Sequence, residues 1–123
     1  MEIKRYKQEE EAQLMTLLRA EGDNWKCYWA PNNATSYEAA LRNSITYVAF
    51  CEHTICGCCR SINENNLYIY VCDLLVASSF RGDSIWQKLI DIVRQDFPQQ
   101  TIYIMSFEVK PIIGSVKEKC GCC

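Results

Sequence analysis

The stretch Leu67–Phe97 constrains the fold of this chain more than any other. Its first part, Leu67–Val76, is rich in aromatic and β-branched side chains, which is typical of a buried strand. A polar break at Ala77–Ser79 and the run Arg-Gly-Asp-Ser follow, and from Ile85 the apolar residues recur at helical spacing. A strand, a basic turn and a helix start offer backbone N–H groups and a positive helix end to an anion. The sequence therefore predicts an anion site where this helix begins.

These residues resemble the acyl-CoA-binding motif of the GNAT superfamily of N-acyltransferases. In that motif a strand with an ending like Cys-Asp-Leu-Leu-Val is followed by an R-G-x-G-I-G turn and the helix that the turn caps. Arg81, Gly82 and Ile85 match the turn, whereas Ser84 and Trp86 stand where the family has glycine or another small residue. The resemblance implies that the turn amides hold the CoA pyrophosphate and that the strand end pairs with pantetheine. The implied cofactor-binding residues are Leu75, Val76, Ala77, Arg81, Gly82, Asp83, Ser84, Ile85 and Trp86.

The remaining patterns predict an order of elements that is also the GNAT order, β, α, α, β, β, β, α, β. A short helix is expected to start at a Ser36 cap, and Glu52–Thr54 is expected to join two strands as a hairpin. The predicted elements are a strand at Glu2–Tyr6, a helix through Leu14–Leu18 that ends at Gly22, an aromatic loop, a helix at Ser36–Arg42, strands at Ile45–Cys51, Ile55–Ile62 and Leu67–Val76, the helix from Ile85, and a parallel strand at Thr101–Ser106.

The fold class that follows is α+β, with a mixed, mostly antiparallel sheet flanked by helices on both faces. Residues 1–123 are expected to form a single GNAT-like acetyltransferase domain, because the length suits one core. The tail Val109–Cys122 resembles the family's last helix, with Lys117 at the position of its usual tyrosine. The chain lacks the family's final strands, so the strand Thr101–Ser106 is expected to have an open edge. A homodimer, or a tail folded over that edge, is predicted.

Composition narrows the function classes. Apolar residues make up 49% and charged residues 23% of the chain, an ordinary globular balance. A net charge of −2 predicts no nucleic-acid partner. Apolar runs are shorter than the ~20 residues of a membrane span, so no membrane partner is expected. The N-terminus does not resemble a signal peptide, and a cytoplasmic location is expected.

The resemblance implies transfer of an acetyl group from acetyl-CoA to a primary amine, which requires a base and an acid. Lys117 is the candidate acid because it replaces the family's tail tyrosine. Asp73 is the most interesting candidate base, ahead of Glu21 and Asp23, because it lies inside an apolar strand and needs a partner there. A structural hydrogen-bonding role for Asp73 is the alternative. His53 falls in a hairpin turn and is expected to be exposed and inert.

Trp25, Tyr28 and Trp29 are the candidate acceptor-binding residues, because aromatic side chains in a non-periodic loop are typical of a binding surface. The alternative is that they cover the edge of the sheet. The acceptor is expected to be a small-molecule or peptide amine; the sequence does not distinguish between the two.

The chain has nine cysteines, and the run Cys-Gly-Cys-Cys occurs at 56–59 and again at 120–123. Two C-x-x-C pairs can form a tetrahedral zinc site. In a strand, however, Cys56 and Cys59 should point to opposite faces. Reduced thiols that pack as small hydrophobic side chains are therefore predicted, and no metal is expected.

Two other functions stay open at this point. The first is a catalytically silent GNAT-fold module, because Asp83 brings a like charge to a pyrophosphate site and Trp86 brings bulk. The second is a cysteine-rich protein that responds to metal or to redox state.

Overall fold

The computed structural model describes residues 1–104, apart from the side chain of Asp83. In that part of the chain, five strands form one sheet in the order β1-β2-β3-β4-β5. The first four strands are antiparallel neighbours, and β5 runs parallel to β4. The strands are β1 (Glu2–Arg5), β2 (Ile45–Cys51), β3 (Thr54–Glu64), β4 (Tyr68–Val76) and β5 (Thr101–Ile104). The predicted mixed, mostly antiparallel sheet is confirmed.

Three helices lie where the periodicity predicts them, one of them with a shifted start: α1 (Glu11–Ala20), α3 (Ala34–Asn43) and α4 (Ile85–Asp96). A further short helix, α2 (Lys26–Trp29), forms within the predicted aromatic loop. The predicted Ser36 cap is wrong, because the cap residue of α3 is Asn33. The Ala34 N–H already bonds the Ala30 carbonyl oxygen, so the helix begins two residues before Ser36.

Both faces of the sheet are covered, which confirms the predicted layers. On one face α4 packs over an α4-side core, whose buried members are Tyr47, Ala49, Cys56, Cys59, Ile69, Val71, Leu74, Val76, Ile85, Leu89, Ile90 and Val93. On the other face α1 and α3 pack over an α1-side core, whose buried members are Leu14, Met15, Leu18, Trp25, Tyr37, Leu41, Val48, Ile55, Cys58 and Leu75.

Two β-bulges interrupt the regular alternation of side chains between the two faces of the sheet, on which the sequence-based prediction of side-chain direction depends. The β2–β3 register passes from Phe50–Ile55 to Ala49–Gly57, so Cys56 is an extra residue. Cys56 and Cys59 therefore share the α4-side core, and the predicted opposite faces are wrong. The β3–β4 register passes from Ser61–Val71 to Arg60–Asp73, so Cys72 is extra in β4. The second bulge turns Asp73 toward α3, whereas Val71 faces α4.

Two predicted boundaries change at the turns. Strand β4 starts at Tyr68, and Leu67 lies in the preceding turn with 71% of its surface exposed. Asn65 and Asn66 adopt positive φ there, which asparagine tolerates better than most residues. The predicted strand Thr101–Ser106 is confirmed as far as Ile104, and its last two residues lie outside the described part. Within residues 1–104, no helix has the length and apolar character needed to cross a membrane.

Gly57 allows α4 to approach the sheet closely. A methyl group at this position would lie 3.0 Å from the Leu75 carbonyl oxygen and 3.3 Å from Cγ2 of Ile85. We expect Gly57→Ala to lower the free energy of unfolding by about 1–3 kcal/mol, because overpacking forces the helix or β4 to move. Urea unfolding measures the loss. Gly82→Ala is the matched control, since no atom lies within 4 Å of its added Cβ. Equal losses in the two variants would contradict this account of Gly57.

Candidate cofactor and acceptor site

The segment between β4 and α4 is a 3₁₀ helix, Ser78–Asp83, rather than the tight turn that the sequence predicts. Ser84 follows in the left-handed conformation, with φ 60° and ψ 26°, and it is the residue that caps α4. The Lys88 N–H bonds the Ser84 carbonyl oxygen at 3.2 Å. The amides of residues 85–87 precede that bond and form the first turn of a twelve-residue helix.

Arg81 is anchored to both the strand and α1. Its Nε donates to the Val76 carbonyl oxygen at 3.1 Å, and its Nη2 donates to Oε1 of Glu21 at 2.7 Å. Glu21 caps the C-terminal end of α1 and also accepts hydrogen bonds from the backbone N–H and hydroxyl of Ser78. The Glu21 side chain is 8% exposed and that of Arg81 is 47% exposed. One carboxylate thus holds the 3₁₀ segment against α1 and neutralises the cation of the turn.

The remaining residues of the turn and of the start of α4 differ in their exposure to solvent. Gly82 is exposed, and space is free around it. Ile85 is buried, and the Trp86 ring is half-buried against the α4-side core. The ring therefore contributes to core packing, as its helical spacing allows.

The end of β4 is paired on one side by β3. Leu75 and Val76 lie opposite Cys58 and Gly57, and the Ala77 N–H donates to the Cys56 carbonyl oxygen at 2.8 Å. On the other side, the described pairing with β5 covers only Tyr68–Val71. Within residues 1–104, the backbone of 72–76 has no strand partner on that side. An extended chain of amides, such as pantetheine, can add to an edge of this kind.

Asp73 lies at the centre of a buried polar cluster between the sheet and the second and third helices. Its Oδ2 accepts hydrogen bonds from Nε of Arg60 at 2.5 Å and from the Tyr37 hydroxyl at 2.9 Å. Its Oδ1 is buried and accepts no hydrogen bond in the described part of the chain. Nη1 of Arg60 also donates to the Ser44 hydroxyl. The Asp73 carboxylate thus has Arg60 as the charged partner that a carboxylate buried in an apolar strand needs.

The pKa values of the neighbours reflect this burial. Burial and the Asp73 charge raise the pKa of Tyr37, so its hydroxyl stays a donor. Burial and the Asp73 charge also raise the pKa of Tyr28. For Arg60, burial lowers the pKa, but the charge and the hydrogen bond of Asp73 outweigh it and the net pKa is raised. Arg60 therefore stays charged where it pairs with Asp73 between β3 and β4.

The three candidate acceptor residues lie in different environments. Trp25 is 2% exposed and belongs to the α1-side core. Tyr28 stacks on Tyr37 with ring centroids 4.4 Å apart. Nε1 of Trp29 donates to the Gly22 carbonyl oxygen at 3.2 Å. Of the three, only Tyr28 comes next to the Asp73 cluster.

Sequence reasoning missed the partners of two predicted residues. Arg60 is the only basic residue of β3 and Asp73 the only charged residue of the neighbouring strand β4, and that pair of opposite charges was a usable signal. Nothing in the sequence indicated that Glu21 binds Arg81, because 60 positions separate them. Lys117 and Cys120–Cys123 lie outside the described residues. Among residues 1–104, no three His, Cys, Asp or Glu side chains are placed to share a metal ion. His53 is exposed in its hairpin turn.

The mixed sheet with helices on both faces is a GNAT-like acyl-CoA N-acyltransferase fold, since solved acetyltransferase structures match it. An aminoglycoside 6'-N-acetyltransferase complexed with coenzyme A matches with a TM-score of 0.71 and 21% identity, over 85% of this chain and 61% of that one. A GNAT family acetyltransferase from Streptococcus pneumoniae TIGR4 matches with a TM-score of 0.69 and 21% identity, over 89% and 77%.

A ribosomal-protein-alanine N-acetyltransferase from Brucella melitensis biovar Abortus 2308 matches with a TM-score of 0.68 and 16% identity, over 90% of this chain and 83% of that one. The chain thus spans 61% of the length of the aminoglycoside enzyme named above. No family model and no curated protein sequence matches the chain. At these identities the likeness establishes the fold, and the predicted GNAT-like fold is confirmed.

Proposed function

We propose that this protein is an N-acetyltransferase that moves an acetyl group from acetyl-CoA to a primary amine. The observation that carries the proposal is the arrangement at the end of β4. A bulge at Cys72, an edge at 72–76 that no strand of residues 1–104 pairs on the β5 side, and the start of α4 follow one another within fifteen residues, in a GNAT-like fold. The solved neighbour with coenzyme A supports acetyl-CoA as the cosubstrate.

The residues fit the two halves of a CoA molecule. The amides of 85–87, the α4 dipole and Arg81 supply positive potential for the pyrophosphate, and the open space at Gly82 admits it. The backbone of Leu75, Val76 and Ala77 supplies hydrogen-bonding groups for pantetheine. The chemistry is then a displacement. The amine nitrogen attacks the thioester carbonyl, the new C–N bond replaces the C–S bond, and one proton passes from the amine to the departing thiolate.

Asp73 is the proposed base and Lys117 the proposed acid for that proton transfer. The buried Oδ1 of Asp73, for which no hydrogen bond from residues 1–104 is found, supports the first role, since a base needs an oxygen that can accept a proton. Tyr28 and Tyr37 stack beside the same carboxylate, so Tyr28 is the aromatic residue best placed to contact an acceptor amine there. The half-buried Trp29 completes the proposed acceptor surface, and the buried Trp25 supports it from the α1-side core. The acceptors named for the neighbours, aminoglycosides among them, make a small-molecule amine the first class to test.

Glu21→Gln should tighten CoA binding by about tenfold, equivalent to ~1.4 kcal/mol. The change removes a carboxylate that neutralises Arg81 next to the proposed pyrophosphate site. It keeps an oxygen that can accept from Ser78. Arg81→Ala should weaken binding by about the same factor. Calorimetric titration with CoA measures both affinities.

Glu11→Gln is the matched control for the calorimetry. Glu11 also pairs with an arginine, Arg42 at 2.6 Å, but it lies at the opposite end of α1. Glu11→Gln removes the same charge as Glu21→Gln and should leave CoA affinity unchanged. If wild type fails to bind CoA at millimolar concentration, or if Arg81→Ala binds as well as wild type, the proposed site is wrong.

A catalytically silent binding module is the second candidate. The Glu21–Arg81 ion pair favours it, because the cation of the turn already has an anionic partner. The two functions separate in one assay, in which acetyl-CoA is incubated with a panel of primary amines and the released CoA thiol is counted. An N-acetyltransferase releases thiol only in the presence of its acceptor, whereas a binding module releases none.

A further inference from the structure

Two thiols meet at the hairpin between β2 and β3. Sγ of Cys51 lies 2.9 Å from Sγ of Cys56, and both side chains pack on the α4-side core. Cys51 is half-buried next to the exposed turn Glu52–His53, whereas Cys56 has 0% exposure. A disulfide bond has an S–S length of about 2.0 Å, so the two sulfurs need to approach by only about 0.9 Å.

The register of the hairpin creates this contact. Cys51 pairs with Thr54, so their side chains share a face of the sheet, and Cys56 lies two residues beyond Thr54 on that same face. Both sulfurs therefore lie on the α4 side, and the bulge at Cys56 turns the next cysteine, Cys58, away from them. Cys58 packs in the α1-side core. Cys59 pairs with Tyr47, farther from the hairpin turn along the β2–β3 ladder. Cys51 and Cys56 are thus left with their sulfurs in contact on one face of the hairpin.

We propose that Cys51 and Cys56 form a redox modification site that closes to an intramolecular disulfide when it meets a small-molecule disulfide such as oxidised glutathione. This site is separate from the proposed acetyl transfer and does not depend on it. One hydrogen bond connects this cysteine pair to the segment between β4 and α4, because the Cys56 carbonyl oxygen accepts the Ala77 N–H.

The reaction proceeds in two exchanges that balance. The Cys51 thiolate attacks one sulfur of glutathione disulfide, which forms a mixed disulfide on Cys51 and releases one glutathione thiolate. Cys56 then loses its proton and attacks Sγ of Cys51, which forms the protein disulfide and releases the second glutathione. Two protein thiols are oxidised, and one glutathione disulfide is reduced to two thiols.

The environment sets the order of attack. Burial, together with the hydrogen bond to Cys51, raises the pKa of Cys56 to about 12. Cys56 therefore reacts slowly with a reagent in solution. Its attack on the mixed disulfide is intramolecular between atoms already in contact, which compensates for the small thiolate fraction. Cys51 is the entry point and Cys56 the resolving residue.

The test uses the reduced full-length chain with glutathione disulfide at mildly alkaline pH, followed by alkylation of free thiols and mass spectrometry. Cleavage after Glu52 separates the two cysteines, so the bond appears as a linked peptide pair. We expect this pair in wild type and also in Cys27→Ser, the control variant for another half-buried thiol. We expect Cys56→Ser to stop at a glutathione adduct on Cys51, and Cys51→Ser to give neither the adduct nor the bond.

Three outcomes would overturn the proposal. The first is a stable glutathione adduct on Cys51 in wild type, which would mean that Cys56 does not resolve it. The second is a disulfide from either residue to Cys120, Cys122 or Cys123. The third is full alkylation of both thiols after prolonged exposure to the oxidant. Circular dichroism of each serine variant establishes that the protein is folded before the result is counted.

Discussion

Replacing Arg60 with methionine is expected to lower the free energy of unfolding by about 3–5 kcal/mol, because it leaves a buried carboxylate without its counter-charge. The Asp73 side chain is 0% exposed, and Nε of Arg60 lies 2.5 Å from its Oδ2. Methionine fills a similar volume, so the loss reports the charge rather than a cavity. The measurement is the shift of the urea midpoint and its extrapolated free energy.

Two controls make this result specific. Arg94→Met removes an arginine from an ion pair with Asp91 in which both side chains are about half exposed, and it should cost only about 0–1 kcal/mol. Arg60→Met combined with Asp73→Leu removes both buried charges and should recover most of the lost stability. A loss for Arg60→Met no larger than that for Arg94→Met would show that water reaches the Asp73 carboxylate.

The second large effect is expected from Leu89→Ala, which should cost about 2–5 kcal/mol. Leu89 is 0% exposed in the centre of the α4-side core, and its Cδ1 faces Gly57. The close approach of helix and sheet at this point leaves no side chain that can fill the vacated volume. Chemical denaturation monitored by tryptophan fluorescence gives the loss directly.

Lys88→Ala is the matched control on the preceding residue of α4. Lys88 is exposed, and the change should stay within about 0.5 kcal/mol of wild type. If both variants lose the same amount, the loss reflects the helix itself rather than its packing on the sheet. A small loss for Leu89→Ala alone would mean that α4 can move toward the sheet and close the cavity.

The buried cluster also bears on the proposed function. Asp73 joins β3 through Arg60 and α3 through Tyr37, and Tyr28 of α2 stacks on the same tyrosine. The proposed base is therefore also a structural link between the sheet and the aromatic segment. Asp73→Asn retains a hydrogen-bond acceptor for Tyr37 but removes both the base and the counter-charge of Arg60, so its folding is measured together with its activity. A loss of acetyl transfer without a loss of folding would assign the proton to Asp73.

Much of the fold could be predicted because local patterns and long-range packing agree. The apolar run of β4, the polar break and the helical spacing from Ile85 identify a strand, a turn and α4 in the right places. The hairpin at Glu52–His53 follows from two short apolar runs separated by a few polar residues. Each of these signals lies within one element or the element next to it in the chain. Other assignments of the same segments to strand or helix would bury less apolar surface.

The sequence by itself determined the order of the elements, the two-sided sheet and the location of the candidate CoA turn. Only the tertiary structure decided which side chains meet. The bulges at Cys56 and Cys72 reverse the direction of the side chains that follow, and a period-two pattern does not reveal one extra residue. The Glu21–Arg81 and Arg60–Asp73 pairs depend on how α1, β3 and β4 pack against one another. Directions and contacts of this kind follow from the register between strands, which is a property of the assembled sheet.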